Sequence, residues 1–272
     1  MAERIARALV TGASAGLGAA FARELARHGV ELVLVARRGE RLRALAAELP
    51  VTTEIRIADL GDPVALAGVA DRLATTRNPV DLLVNDAGVG SYGALGIGPE
   101  IDPGIGPGIG EGERIRAMLE VNVAALTRLT QAVLPQLRER RTGGVINVGS
   151  TAGYRPCPYA AVYGATKAYV RSFTEAVHEE VRDQGVHVML LAPGSTDTEF
   201  QQIAGLEEQS GASSVRARAD DVARTALGAF ASGRAVCIPG VPARAAAATA
   251  RLVPSAVSRR VSSAATQRML VG

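Results

Sequence analysis

The chain has 272 residues, 47% of them hydrophobic and 21% charged; this fits one sizeable folded core and excludes a disordered chain. Aromatic residues amount to 3%, Trp is absent and the formal net charge is only +3, so neither stacking platforms nor bulk charge points to nucleic acid. Cys157 and Cys237 stand far apart with no C-x-x-C spacing, which argues against a disulfide scaffold or a metal site and suits a reducing, cytoplasmic setting.

Residues 7–11 read as a short buried strand, reached without the pattern of a signal peptide. Next come Thr11-Gly12-Ala13-Ser14-Ala15-Gly16-Leu17-Gly18 and a helix over 19–28. A Gly-rich turn between a strand and a helix N-terminus can cradle a phosphate, because the glycines allow close backbone approach and the free amides favour an anion. Gly12, Ser14, Gly16, Leu17 and Gly18 are therefore candidate cofactor contacts; a purely structural turn is the alternative.

Residues 30–36 form a second apolar strand that ends in Arg37-Arg38. A carboxylate at such a strand end binds the free 2′-hydroxyl of NAD, whereas guanidinium groups suit a 2′-phosphate, so NADP(H) is expected. Either arginine could instead be a solvated charge at a helix start, Arg38 more readily than Arg37. A helix is expected over 41–49 and a third strand over 51–58, closed by Asp59-Leu60. Asp59 could accept from an adenine amino group or cap the helix that starts near Asp62-Pro63. The fourth strand, 80–84, ends in Asn85-Asp86-Ala87-Gly88 at the edge where such sheets bind ligands. Asn85, Ala87 and Gly88 are candidates there, Asn85 bonding either the cofactor or adjacent strands. Residues 90–112 alternate Gly with Pro and Ile, which precludes a stable helix and predicts a mobile loop.

A long helix is expected over 113–140 with Asn122 inside it. Asn has no propensity advantage there, so it either offers a carbonyl to an ordered water in a proton relay or bonds a neighbouring helix. The fifth strand, 144–148, delivers Ser150 to the same edge, and a helix over 159–182 carries Tyr163 and Lys167. Four residues apart, these two face the same way, and a cation beside a phenol lowers its pKa toward the useful range. Lys167 is the sole lysine of the chain; every other basic position is Arg. A compact ammonium with three rotatable donors is what Arg cannot supply. The sixth strand, 186–192, leads into Pro193-Gly194-Ser195-Thr196-Asp197-Thr198, where Thr198, and after it Thr196, could hold a nicotinamide carboxamide or cap the next helix.

Residues 195–218 read as a substrate lid, 220–232 as a helix and 235–238 as a seventh strand. From residue 222 onward there are seven Arg and no acid. The tail, 241–272, is expected to be helical and to pack on the domain formed by 1–240. A basic amphipathic pair on anionic lipid is the alternative.

Thr11-Gly12-xxx-Gly16-x-Gly18, Asn85-x-Ala87-Gly88, Asn122, Ser150, Tyr163-xxx-Lys167 and Pro193-Gly194, in this order, resemble the short-chain dehydrogenase/reductase family. The resemblance spans roughly residues 5–240. It implies an α/β Rossmann-type fold, a doubly wound parallel sheet of about seven strands with helices on both faces. It also implies a catalytic tetrad of Asn122, Ser150, Tyr163 and Lys167, cofactor contacts that include Tyr163, Lys167, Pro193 and Gly194, and a homodimer or homotetramer. Two departures matter. Asp86 stands where members commonly have a second Asn, which weakens the hydrogen bonding expected around that turn. Ala15 stands where many NADP-dependent members carry a basic residue, so specificity rests on Arg37 and Arg38. The expected reaction is hydride transfer between NADP(H) and a carbonyl or secondary alcohol, with a hydrophobic ketone favoured as substrate. Epimerisation or dehydration on the same fold, or cofactor sensing without catalysis, are the rivals.

Overall fold

A computed structural model describes residues 5–96, 110–200, 216–252, 259–260 and 263. The expected loop and lid fall largely on 97–109 and 201–215, and much of the tail on 253–258, 261–262 and 264–272; these lie outside the described residues.

Strands β1 (Arg7–Thr11), β2 (Glu31–Ala36) and β3 (Thr53–Ile57) alternate with helices α1 (Gly16–Arg27), α2 (Gly39–Glu48) and α3 (Pro63–Ala74). The chain continues through β4 (Leu82–Asn85), α4 (Glu111–Leu119), a π-helical turn (Glu120–Ala125), α5 (Leu126–Arg140), β5 (Gly144–Val148) and α6 (Ala161–Val181). It closes with β6 (His187–Leu191), the two-residue strands β7 (Thr196–Asp197) and β8 (Ala217–Arg218), α7 (Ala219–Ala231), β9 (Val236–Cys237) and α8 (Val241–Leu252). Seven strands form one sheet in the order β3-β2-β1-β4-β5-β6-β9, and every pairing in it is parallel. The expected doubly wound fold is thus present, with β7 and β8 pairing separately.

Parallel strands joined by helical crossovers are covered on both faces, so their residues are apolar in near-continuous runs. All of β4 and β5 is buried. Alternate residues feed two layers. Val10, Leu34 and Ile146 pack under Phe21 and Leu25 of α1 and Leu227 of α7. Leu9, Val33 and Val145 pack under Leu73 of α3, Leu129 and Val133 of α5 and Val177 of α6. The first helix of the tail, α8, places Ala247 against Leu126, Tyr154 and Val170.

Most element boundaries shift by one to three residues from expectation, and three differences bear on the site and its frame. β3 begins at Thr53 and β4 ends on Asn85 itself. The single helix expected over 113–140 is α4 and α5 joined by the π-helical turn that contains Asn122. Asp62, not Asp59, caps α3, accepting from the amides of Val64 and Ala65 at 2.9 and 2.8 Å with Pro63 at the first helical position.

The end of the sheet opposite the ligand edge is tied by Asp81, which is 6% exposed. It accepts from the amides of Ala6 and Arg7 at 2.8 and 3.0 Å and from Arg140 at 2.6 Å. Asp81→Ala leaves these donors without their acceptor in a largely desolvated place. Urea denaturation should show a loss of roughly 3 kcal/mol; a loss below about 1 kcal/mol, the range of a surface pair, would contradict this.

Candidate active site

The strand order reverses between β1 and β4, and ligands bind such sheets at the carboxyl ends flanking that switch point. A cleft of about 800 Å³ opens there. Thr11, 1% exposed, fixes its floor: Oγ1 accepts from the amides of Asp86 and Ala87, both at 3.0 Å, and so joins the turn after β1 to the turn after β4. Gly12 has φ +69°, and a Cβ there would lie 3.0 Å from the Ala87 backbone. Gly16 has φ +54°, with its missing Cβ 3.2 Å from the Thr198 side chain. Both positions need glycine for conformation and for closeness. Ser14, Gly16 and Leu17 line the cleft beside Gly12. Gly18 lies behind it: a Cβ there would meet the Gly12 carbonyl oxygen at 2.5 Å, so its role is close packing of α1 on the turn. Ala15 caps α1 with no side-chain hydrogen bond, so the N-cap residue itself takes none of the first-turn amides at this end of the helix.

Asp86 is half-buried on this floor, and its carboxylate accepts from the Gly18 amide. The hydrogen bonding expected to weaken at this departure from the family pattern is therefore kept. Burial raises the Asp86 pKa from 3.8 to about 7, against the pull of the Lys167 ammonium and the Gly18 amide. Asn85 takes the structural option. Its Nδ2 donates to Asn147 Oδ1 at 2.9 Å and to Thr130 Oγ1 at 3.1 Å, within the layer beneath the sheet rather than in the cleft. Ala87 and Gly88 do line the cleft.

Tyr163 is 8% exposed and lies between Tyr92 and Phe200, with ring centroids 6.3 and 5.6 Å away. Ser150 reaches it from the end of β5 and hydrogen-bonds the phenol. Lys167, 6% exposed, donates from Nζ to the Val148 carbonyl at 2.9 Å and stands 5.8 Å from the Tyr163 ring centroid. Three of the four tetrad residues thus meet at one point. Their electrostatics differ from expectation: burial lifts the Tyr163 phenol well above its ordinary range, reinforced by Tyr92 and opposed by Ser150. Lys167 is itself pulled down to about 8 by burial, with Asp86 pushing it back up. Desolvation outweighs the cation–phenol attraction at this distance.

Asn122 joins the cluster through other groups. Its Oδ1 accepts from Val89 N at 2.9 Å, and its Nδ2 donates to Val89 O at 2.8 Å and to Thr166 Oγ1 at 3.2 Å. Thr166 in turn donates to the Tyr163 carbonyl at 2.8 Å. The bond to Thr166 joins Asn122 to the neighbouring helix α6, and the π-helical turn around it breaks the regular helical ladder.

At the far end of the cleft, Arg38 Nε donates to Ser14 Oγ at 3.2 Å, and its Nη1 to Glu199 at 3.0 Å. Arg41 Nη1 reaches both oxygens of Glu199 at 2.7 and 2.8 Å. Arg37 turns toward Asp59 at a looser 3.9 Å and is 61% exposed. Arg38, expected to be the likelier bystander of the two, is the one joined to the Gly-rich turn through Ser14, and both arginines line the cleft. Asp59 bonds the Gly61 amide at 2.9 Å, and with Leu60 borders the cleft. Pro193, Gly194, Thr196 and Thr198 line the opposite wall, Thr196 Oγ1 donating to the Gly194 carbonyl at 3.2 Å.

Arg41, Glu199, Tyr92 and Phe200 were missed by sequence reasoning. Arg41 carried a signal, because it follows Arg38 at i,i+3 on one helix face. The others arrive through tertiary structure. Among the described residues no group of His, Cys, Asp and Glu could hold a metal ion.

The fold and this cleft define a dinucleotide-type oxidoreductase site. A sequence model of the short chain dehydrogenase family matches residues 6–209, and the chain belongs to that family. It is 38% identical over 195 residues to sulfoacetaldehyde reductase 2 of Chromohalobacter salexigens, covering 71% of this chain and 73% of that protein. A short-chain dehydrogenase from Sphingobium yanoikuyae, solved in complex with NADPH, superimposes with a TM-score of 0.77 at 34% identity, covering 86% and 88% of the two chains. A bulky-bulky ketone specific alcohol dehydrogenase from Comamonas testosteroni gives 0.75 at 29% identity and 87% coverage of each.

The Asp86 carboxyl has a measurable consequence. Its folded-state pKa lies above the unfolded value, so its contribution to stability is complete below pH 3.8 and lost as pH rises through about 7. Lys167 is the converse, its contribution present above pH 10.5 and lost as pH falls through about 8. Asp86→Asn should therefore raise Tm more at pH 8 than at pH 5 in paired thermal melts. A gain that is equal at both, or larger in acid, would contradict the burial argument.

Proposed function

We propose that the protein transfers a hydride between NADP(H) and a carbonyl or secondary alcohol, with Ser150, Tyr163, Lys167 and Asn122 as its catalytic group. The observation that carries this is the convergence of Ser150, Tyr163 and Lys167 in the same cleft as the Gly12–Gly18 turn. The residues fit a dinucleotide phosphate. Gly12 and Gly16, both at positive φ, present backbone to the cleft, and Ser14 and Arg38, with Arg41 behind them, supply donors at the adenosine end. Bound there, the nicotinamide would supply or accept the hydride.

The chain's own groups do the rest. Ser150 and Tyr163 donate to the substrate oxygen and polarise the carbonyl; in reduction the Tyr163 proton passes to that oxygen, and in oxidation the phenolate takes it back. A phenol held above its ordinary pKa favours the protonated form that reduction needs. Lys167 would hold the nicotinamide ribose and bring positive charge to the phenolate. Asn122 would anchor the water that reprotonates the relay, its Oδ1 keeping one lone pair beside the Val89 amide. Tyr92, Phe200 and Val89 line the cleft near Tyr163 and favour an apolar ketone; the Comamonas relative is named for bulky ketones. A homodimer or homotetramer is the assembly this reading expects, with Leu119 on α4 and Tyr169 on α6 among the exposed apolar side chains. The two free cysteines suit a reducing, cytoplasmic location.

Tyr163→Phe should lower turnover by about 10²–10⁴-fold while fluorescence titration finds NADPH affinity essentially unchanged. Substantial residual turnover would sink the acid/base assignment. Arg38→Ala should weaken NADPH binding roughly tenfold and leave NADH binding alone, since one charge-assisted phosphate contact is worth about 1.5–3 kcal/mol. Arg37→Ala should do less. Equal effects of Arg38→Ala on the two cofactors would remove the 2′-phosphate reading.

A further inference from the structure

Three consecutive residues after β7 each touch a different part of the cleft. Thr198 packs on Gly16 of the phosphate turn. Glu199 grips Arg38 and Arg41. Phe200 stacks obliquely on Tyr163 with ring centroids 5.6 Å apart. The middle contact is the one with a chemical equivalent. A carboxylate held by two guanidinium groups, one of which also binds Ser14, is in the environment a 2′-phosphate requires.

We propose that Glu199 is an intramolecular stand-in for the 2′-phosphate of NADP, competing with it for the Ser14–Arg38–Arg41 cradle and setting how strongly the protein distinguishes NADP from NAD. The proposal rests on reading Arg38 as a phosphate ligand. Charge decides who wins. Two guanidinium groups against one carboxylate leave an excess positive charge, whereas a phosphate monoester carries about −1.5 to −2 at neutral pH and balances both. A 2′-hydroxyl carries none and cannot displace Glu199. The arginines hold the Glu199 carboxyl below its usual pKa, Arg41 more than Arg38, so the competitor stays charged through the neutral range. The pair is 41% exposed on each side, so the contest is modest in size and readily reversed. Because Thr198 and Phe200 flank Glu199, its displacement also loosens the segment lying on Gly16 and Tyr163. The phosphate thereby acts on the active-site end of the cleft without touching it.

The test is calorimetric and needs no turnover. Adenosine 2′,5′-bisphosphate and adenosine 5′-monophosphate are titrated into the wild type, Glu199→Gln and Arg38→Ala, with melts confirming that each variant folds. Glu199→Gln is expected to tighten the bisphosphate roughly fivefold and leave the monophosphate unchanged. An unchanged or weakened bisphosphate, or an equal gain for both nucleotides, overturns the stand-in. If Glu199→Gln has no effect while Arg38→Ala weakens the bisphosphate, the phosphate site survives and only the role of Glu199 falls. If Arg38→Ala leaves the bisphosphate unchanged, the phosphate reading fails and the stand-in fails with it.

Discussion

Thr11 contributes one hydroxyl, and the geometry of the cleft depends on where it is. It is the last residue of β1, buried to 1% exposure, and it accepts from two successive amides of the turn after β4. Two parallel strands that pair along their length need not keep their exit turns together. A side-chain oxygen that satisfies two partly buried donors makes them do so, since a fully buried unpaired donor costs on the order of 1–3 kcal/mol and a partly buried one a share of that. Gly12 can then lie against Ala87, and the Asp86 carboxylate reaches the Gly18 amide. The Gly-rich turn and the floor beneath Lys167 are thereby joined.

On that floor the protein concentrates groups that its interior disfavours. Asp86, Tyr163 and Lys167 are each shifted toward neutrality by burial. In water all three would sit at their ordinary values; in a partly desolvated cleft the mutual attraction of Asp86 and Lys167 offsets the loss of hydration only in part. Such a cluster reduces stability around neutral pH, a concession common where chemistry is carried out. It persists because the framework around it is saturated. Lys167 donates to Val148, Asn122 to Val89 and Thr166, and Thr166 to the backbone of Tyr163.

The sheet was readable from sequence because doubly buried strands leave continuous apolar runs, as in Leu32–Ala36, and because Gly-rich and Pro-Gly turns punctuate them. The meeting of Ser150, Tyr163 and Lys167 was readable for a similar reason: one helix spacing and one strand exit determine it. What could not be read depends on distant partners. The π-helical turn at Asn122 has no local signature, since it is stabilised by Val89 and Thr166 on other elements. Asn85 looks in sequence like a residue at the ligand edge, yet buried Thr130 and Asn147 turn its amide inward. Arg37 and Arg38 are indistinguishable as letters, and only the proximity of Ser14 and Glu199 separates them. Burial reversed the expected pKa of Tyr163, because a motif gives the charges in reach but not the water excluded around them.

The scarcity of lysine also makes the molecule unusually simple to label. With one lysine among thirty basic residues, the protein has a single side-chain amine, and it is the one beside Tyr163. Its pKa of about 8 leaves a sizeable fraction as free amine at mildly alkaline pH, whereas arginines stay charged and inert to acylation. An acylating reagent small enough to enter the cleft thus meets one internal target, and anything seated over Lys167 shields it. Mass spectrometry of the labelled chain would count occupancy of the site directly, with the amino terminus as built-in reference.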